Sequence, residues 1–90
     1  MRFRWDPEKA ASNLVKHGVS FEEASTAFGD VLSTTILDLK HTVEVRFLTT
    51  GRSDQERILI IWHLEEEDWV RIIGARVATP RERRTYESGE

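Results

Sequence analysis

The sequence contains no cysteine. That absence excludes a disulfide framework and every thiolate metal site, so the fold must rest on its core alone. Long apolar runs are missing as well. The longest, Ile58 to Trp62, is far too short to span a bilayer, and the N-terminal stretch lacks the apolar segment of a signal peptide. A soluble, cytoplasmic protein without membrane contact is expected. His17, His41 and His63 lie far apart and form no His-x-x-x-His arrangement; there is no Gly-x-Ser-x-Gly elbow and no glycine-rich phosphate loop. Metal chemistry, serine nucleophiles and cofactors are therefore not expected. Repeats, low-complexity segments and linkers are also absent. Ninety residues make one domain, 1–90, with room for a modest core but not for a deep cofactor cleft.

What is present is an ordinary globular mixture, with 39% hydrophobic and 32% charged residues, sufficient for folding. The formal net charge of -3 argues at first sight against a nucleic-acid ligand, but the charges are unevenly spread. Residues 1–20 carry four Lys/Arg against two acids, residues 71–90 five Arg against three, and residues 21–70 four basic against eleven acidic side chains. A fold that joins the two ends creates a cationic patch on an acidic protein. A solvated surface of mixed charge accounts for the same distribution.

Asp6-Pro7 starts a helix: Asp6 can accept from orphan backbone N–H groups, and proline is preset for the first helical position. This helix runs to about His17, where Gly18 can turn left-handed, and Ala10 and Leu14 are expected to face the core. Ser20-Phe21-Glu22-Glu23 then fits a capping box, with Glu23 reaching back and Phe21, Ala24, Ala27 and Phe28 on one face of a second helix ending near Phe28. From Val31 the period changes to alternation, which predicts strands near 31–38, 43–50, 56–64 and 69–77. The breaks are Leu39-Lys40-His41, Gly51-Arg52-Ser53-Asp54 and Glu65-Glu66-Glu67-Asp68, short enough to favour an antiparallel meander. Met1 to Trp5 can add an edge strand. Thr79-Pro80-Arg81-Glu82 starts a short basic helix that ends near Tyr86. The expected fold class is α+β: two N-terminal helices, a four-stranded antiparallel meander with an optional edge strand, and a C-terminal helix.

Lys9, Asn13 and His17 stack on one side of the first helix, with Lys16 beside them, and this stripe has no acid. The wet face of an ordinary surface helix looks much the same. Glu44 and Arg46 are two apart in a strand and share a face, with Val45 and Phe47 on the other. Arg71 and Arg76 are five apart, which sends them to opposite faces of a regular strand; a bulge at Gly74 would bring them to one face. Lys, His, Glu and Arg are also what metal-free RNA cleavage requires: a base for the 2′-OH, an acid for the departing 5′-oxygen, and cations around the phosphate. Residue types alone leave that reading open.

Trp5-Asp6-x-x-Lys9, Asn13-x-x-Lys16-His17-Gly18, Ser20-Phe21-Glu22-Glu23-Ala24, Glu44-x-Arg46 and Arg71-Ile72-Ile73-x-Ala75-Arg76, followed by Glu82-Arg83-x-x-Tyr86-Glu87, occur in this order. Together they resemble the BrnT family, the toxins of BrnT/BrnA type II toxin–antitoxin modules, over almost the whole chain. The resemblance implies a RelE/ParE-like fold and a ribonuclease that stops translation. It also implies a hetero-oligomer with a BrnA-like antitoxin, through which alone the complex would touch DNA. Carried over by position, it implies a site of Lys9, His17, Glu44, Arg46, Arg71 and Arg76, with Asn13, Lys16 and Arg83 contacting RNA. The arginines would hold phosphate, and Glu44, His17 and Lys9 would share the base and acid roles. A member that has kept the fold and partner surface but cleaves nothing, acting in an autoregulatory repressor complex, is the alternative. Gly74 departs from the family, which more often has a small polar residue there.

Overall fold

The computed structural model describes residues 1–40 and 44–89; the expected break at His41 and strand start at Val43 lie outside them. In chain order the elements are β1 (Arg2–Arg4), α1 (Pro7–His17), α2 (Phe21–Thr26) with a 3-10 turn (Ala27–Gly29), β2 (Thr34–Asp38), β3 (Arg46–Arg52), β4 (Ile58–Glu66), β5 (Trp69–Val77) and α3 (Pro80–Ser88). The sheet order is β1-β5-β4-β3-β2. The strands from β2 to β5 form the expected antiparallel meander. The N-terminal residues supply a fifth strand that pairs parallel with β5, so the sheet is mixed.

Local chemistry accounts for most boundaries. Asp6 accepts from the Glu8 backbone N–H, and Gly18 ends α1 in the left-handed conformation at φ 69°. Ser20 caps α2, but only half of the expected capping box forms, because the Glu23 carboxylate turns away to Arg57 and Ser53. At α3 both halves form, between Thr79 and Glu82. β2 begins later than alternation predicts because the Asp30 carboxylate accepts from Leu32 and from Arg52, holding Val31 and Leu32 in a turn. β3 continues through Gly51 and Arg52, and β4 through Glu65 and Glu66, since the β4–β5 turn needs only Glu67 and Asp68. Glu67 adopts φ 56°, the twist that a two-residue hairpin turn demands. Gly51 is required by close approach: a Cβ there would stand 2.7 Å from the Ala27 carbonyl oxygen.

One face of the sheet carries the helices. Val19, Phe21, Ala24 and Ala27 pack there on Leu59, Ile61, Val70, Ile72 and Ala75, flanked by Phe3, Trp5, Ala10, Phe28 and Val77. Each fully buried Phe, Leu or Ile contributes roughly 2 kcal/mol by leaving water. α1 buries no residue, and Leu14 is 51% exposed, contrary to its expected place in the core. The reason is that α1 lies beside β5 rather than over it. β1 pairs only with Trp69 to Arg71, and beyond it the Asn13 amide donates to the Ala75 carbonyl (2.9 Å) while its oxygen accepts from the Ala75 N–H (3.1 Å). Asn13 thus satisfies the strand edge and ties it to the Val19 carbonyl.

The other face is partly covered by α3, which has no buried residue. Tyr86 packs there with Ile58, Ile60, Leu48, Trp62 and Ala78, and its hydroxyl donates to Asp30. Arg81, Arg83 and Arg84 are exposed.

Candidate functional site

Pairing and pleat place most of the arginines on that second, open face. Arg4 neighbours Arg71 on β5, Arg71 stands opposite Leu64 on β4, and Arg46 on β3 stands opposite Asp38 on β2. Phe47 pairs with His63, so continuing the register sets Arg46 beside Leu64 on its other side. The result is a row across the sheet: Asp38, Arg46, Leu64, Arg71, Arg4. Neighbouring strands lie about 4.8 Å apart, so Arg46 and Arg71 start roughly 10 Å from each other. The adjacent row holds Ile36, Leu48, Trp62 and Gly74, and the next Thr34, Thr50, Ile60 and Arg76.

The arginines of β5 reach one face because the strand is bulged. Trp62 pairs with Gly74 but His63 pairs with Ile72, so Ile73 is the extra residue and the alternation resets there. Arg71 and Arg76 therefore share the open face, as a bulge at Gly74 predicts. They do not meet: their partners Leu64 and Ile60 are four residues apart, about 13 Å along the strand. Arg76 is held by a two-pronged ion pair with Glu82 (2.7 and 2.9 Å) and lies over the Trp62 ring, 5.4 Å from its centre. That hydrogen bonding holds the Glu82 carboxyl down to about 2 despite partial burial, and raises Arg76. Arg71 makes no hydrogen bond or ion pair with any described residue.

A pocket of about 680 Å³ opens beside the row. Lys9, reaching over from α1, lines it with Arg46, Asp38, Trp62, Ile73 and Gly74. Glu44 accepts from Arg46 at its side, at 3.0 to 3.1 Å. So the structure brings together Lys9, Arg46 and, through Arg46, Glu44, with Arg71 across the same row. His17 and Lys16 are exposed in the last turn of α1; His17 is eight residues from Lys9, about 12 Å along the helix, and does not line the pocket. Asn13 bonds the sheet edge and Val19 with its whole amide. Arg83 is exposed on α3.

Three residues of this face escape the motif reading: Arg4, Asp38 and Trp62. The signal for Arg4 lies in the alternation Arg2-Phe3-Arg4-Trp5, and that for Trp62 in its even spacing from Ile60 and Leu64. Two further arginine contacts mark the same face, since Arg2 and Arg4 both lie over the Trp69 ring, at 5.5 and 5.0 Å. Arg4 is also paired with Glu66 at 2.7 Å.

On the helix-covered face every buried side-chain polar atom of the described residues finds a partner. His63 is bonded at Nε2 to Thr49 (2.7 Å) and at Nδ1 to Glu65 (3.0 Å), stacks on Phe47 and meets Phe28 edge-on. Burial pushes its imidazole below the ordinary value, against the pull of Glu65. It belongs to the core and not to the pocket.

Comparison with known proteins bears on the family and the fold. The family model "Ribonuclease toxin, BrnT, of type II toxin-antitoxin system" matches residues 5–82. The crystal structure of the Brucella abortus ribonuclease toxin BrnT superposes with a TM-score of 0.64 at 22% identity, covering 88% of this chain and 97% of that one. This likeness establishes the fold. No individually curated protein matches the sequence significantly. The family match spans nearly the whole domain, and the chain belongs to the BrnT family, the ribonuclease toxins of type II toxin–antitoxin systems, which implies an antitoxin as its partner.

Proposed function

We propose that this chain is a ribonuclease that arrests translation by cleaving RNA on the open sheet face, and that a BrnA-like antitoxin neutralises it in the cytoplasm by covering that face. The observation that carries the reading is the row of Arg46, Arg71 and Arg4 with Lys9 beside it. Arg4 and Arg71 are direct neighbours of like charge; Glu66 offsets Arg4, which leaves Arg71 as the cation best placed to meet a polyanion. In the proposed reaction the ribose 2′-oxygen bonds to phosphorus and the P–O5′ bond breaks. Glu44 takes the 2′-OH proton, Lys9 supplies one to the departing 5′-oxygen, and Arg46 and Arg71 stabilise the extra negative charge. A cyclic 2′,3′-phosphate remains.

His17, at the far end of α1, has no part in this scheme, and Arg76 acts first on α3 through Glu82. The alternative, a non-catalytic partner of a repressor complex, is favoured by one observation: no imidazole of the described residues lines the pocket. Induction with and without the antitoxin separates the two readings. Growth arrest that the antitoxin relieves, with RNA ends carrying cyclic phosphate formed in the presence of chelator, supports the ribonuclease. Normal growth, with intact RNA and an undiminished antitoxin complex, supports the alternative.

A further inference from the structure

Trp62 sits at the centre of the open face, half-buried with Arg76 over its ring, and two features fix how the indole meets the pocket. Its indole Nε1 donates to the Asp38 carboxylate at 3.2 Å, across two strands, which sets the ring orientation. Its cross-strand neighbour on β5 is Gly74, next to the bulged Ile73, which brings no side chain against that part of the ring; a Cβ there would come within 4.0 Å of ring carbon Cε3. An alanine would touch the indole and any longer side chain would cover it. The ring forms part of the wall of the 680 Å³ pocket, together with Lys9, Arg46 and Asp38. Pockets of this size take small ligands.

The surroundings specify the ligand. Lys9 and Arg46 line the pocket with Trp62, and Arg76 of β5, held by Glu82 of α3, lies over the half-buried ring, so cations surround the indole. The pocket's one described carboxylate, Asp38, is held by the indole N–H and by the Lys40 backbone N–H. On β4, Trp62 is two residues from Leu64, so it lies about 7 Å from the arginine row, a step comparable to that between a nucleotide's phosphate and its base. We infer that Trp62, against which Gly74 places no side chain, is a stacking platform for one unpaired nucleobase of the RNA whose phosphate lies on the Arg46–Arg71 row. The inference rests on the RNA reading above. Trp62 is then a positioning residue that fixes which nucleotide is presented. Stacking tolerates all four bases but favours large ones, so a preference for purines follows.

The test uses the full-length protein and single-stranded oligoribonucleotides methylated at every 2′-oxygen, which bind but are not cleaved. Titration with a purine oligomer is expected to shift the indole N–H resonance assigned to Trp62. Trp62→Leu should weaken binding about 5- to 150-fold, since stacking is worth about 1–3 kcal/mol per base. Trp62→Phe should restore part of that loss, and Gly74→Val, which keeps the indole but covers it, should weaken binding as Trp62→Leu does. With cleavable RNA the loss should appear in KM and in base preference more than in kcat. Arg46→Ala is the control for the RNA reading itself. If Arg46→Ala weakens binding while Trp62→Leu and Gly74→Val bind like wild type, RNA uses this face but the platform does not exist. If Trp62→Leu weakens only the antitoxin complex, the ring serves a protein partner and the inference is overturned. If wild type binds no oligomer, the RNA reading and the platform fall together.

Discussion

The two faces of this sheet treat charge in opposite ways. On the helix-covered face the Glu23 carboxylate is buried and fully engaged: Arg57 donates to both of its oxygens and Ser53 to one. His63 is bonded at both ring nitrogens, and no buried side-chain polar atom among the described residues lacks a partner. On the open face Arg4 and Arg71 stand side by side, and Arg71 has no counter-ion among the described residues. Buried polar groups must be paired because desolvation otherwise costs several kcal/mol, whereas Arg4 is exposed and Arg71 only half-buried, so water screens them in part. The first face therefore sets stability, and on the second, where Arg4, Arg46 and Arg76 are ion-paired, Arg71 is the cation that the proposed anionic ligand would meet. Substitutions on the two faces should separate folding from activity.

The largest effect is expected at Glu23. Glu23→Ala leaves Arg57 without its carboxylate and should cost about 3 kcal/mol or more in denaturant-induced unfolding. A loss below 1 kcal/mol would show that this pair does not anchor α2. On the open face, Arg46→Ala and Arg71→Ala should each reduce RNA cleavage by about 10²–10³-fold with unchanged folding. Arg71→Ala should be as stable as wild type or slightly more so, because a like-charge neighbour of Arg4 is gone. Arg76→Ala should behave differently, lowering stability, because it frees Glu82 and loosens α3. Equal stability of the Arg71 and Arg76 variants would contradict that distinction.

Acid should act on the covered face first. The His63 imidazole is held below its ordinary 6.5 by burial, so the unfolded chain takes up that proton before the folded one. Stability should be full above pH ~6.5 and decline below it by up to about 1.4 kcal/mol per pH unit, a slope that His63→Gln should abolish. Glu23 and Glu82 are held below 4.5, the latter at about 2, so their contributions persist until the pH drops under ~4.5 and fade below that. The smallest effect belongs to the rim. Charge reversal at Arg81 and Arg83, exposed on α3, should slow antitoxin association a few-fold and flatten its salt dependence. Unchanged association at low and high salt would remove α3 from the interface.

Much of the fold is legible along the chain. Asp6-Pro7, Ser20 and Thr79-Pro80 mark the three helix starts because capping is a property of adjacent residues. The alternation read from Val31 marks the strands, although β2 begins only at Thr34, and Gly74 marks the bulge region. The site is legible only in part. Lys9 and Arg46 line one pocket with Glu44 bonded to Arg46, yet Asn13 bonds the sheet edge and His17 ends one helix length away from the pocket. On a helix a shared stripe fixes side-chain direction but says nothing of distance from a site that covers only one end.

The sequence by itself determined the α+β class, the element order, the caps and the arginines available to bind an anion, because propensity, capping and pleat act between residues close in the chain. Only the tertiary structure decided that β1 joins β5 in parallel and thereby adds Arg4 to the row, and that α1 seals the strand edge through Asn13. It also decided that Glu23 leaves its capping role for Arg57, and that Glu82 engages Arg76. Each of these depends on which distant segments become neighbours, and a carboxylate or amide with several partners within local reach takes the one whose burial and charge best compensate its own desolvation.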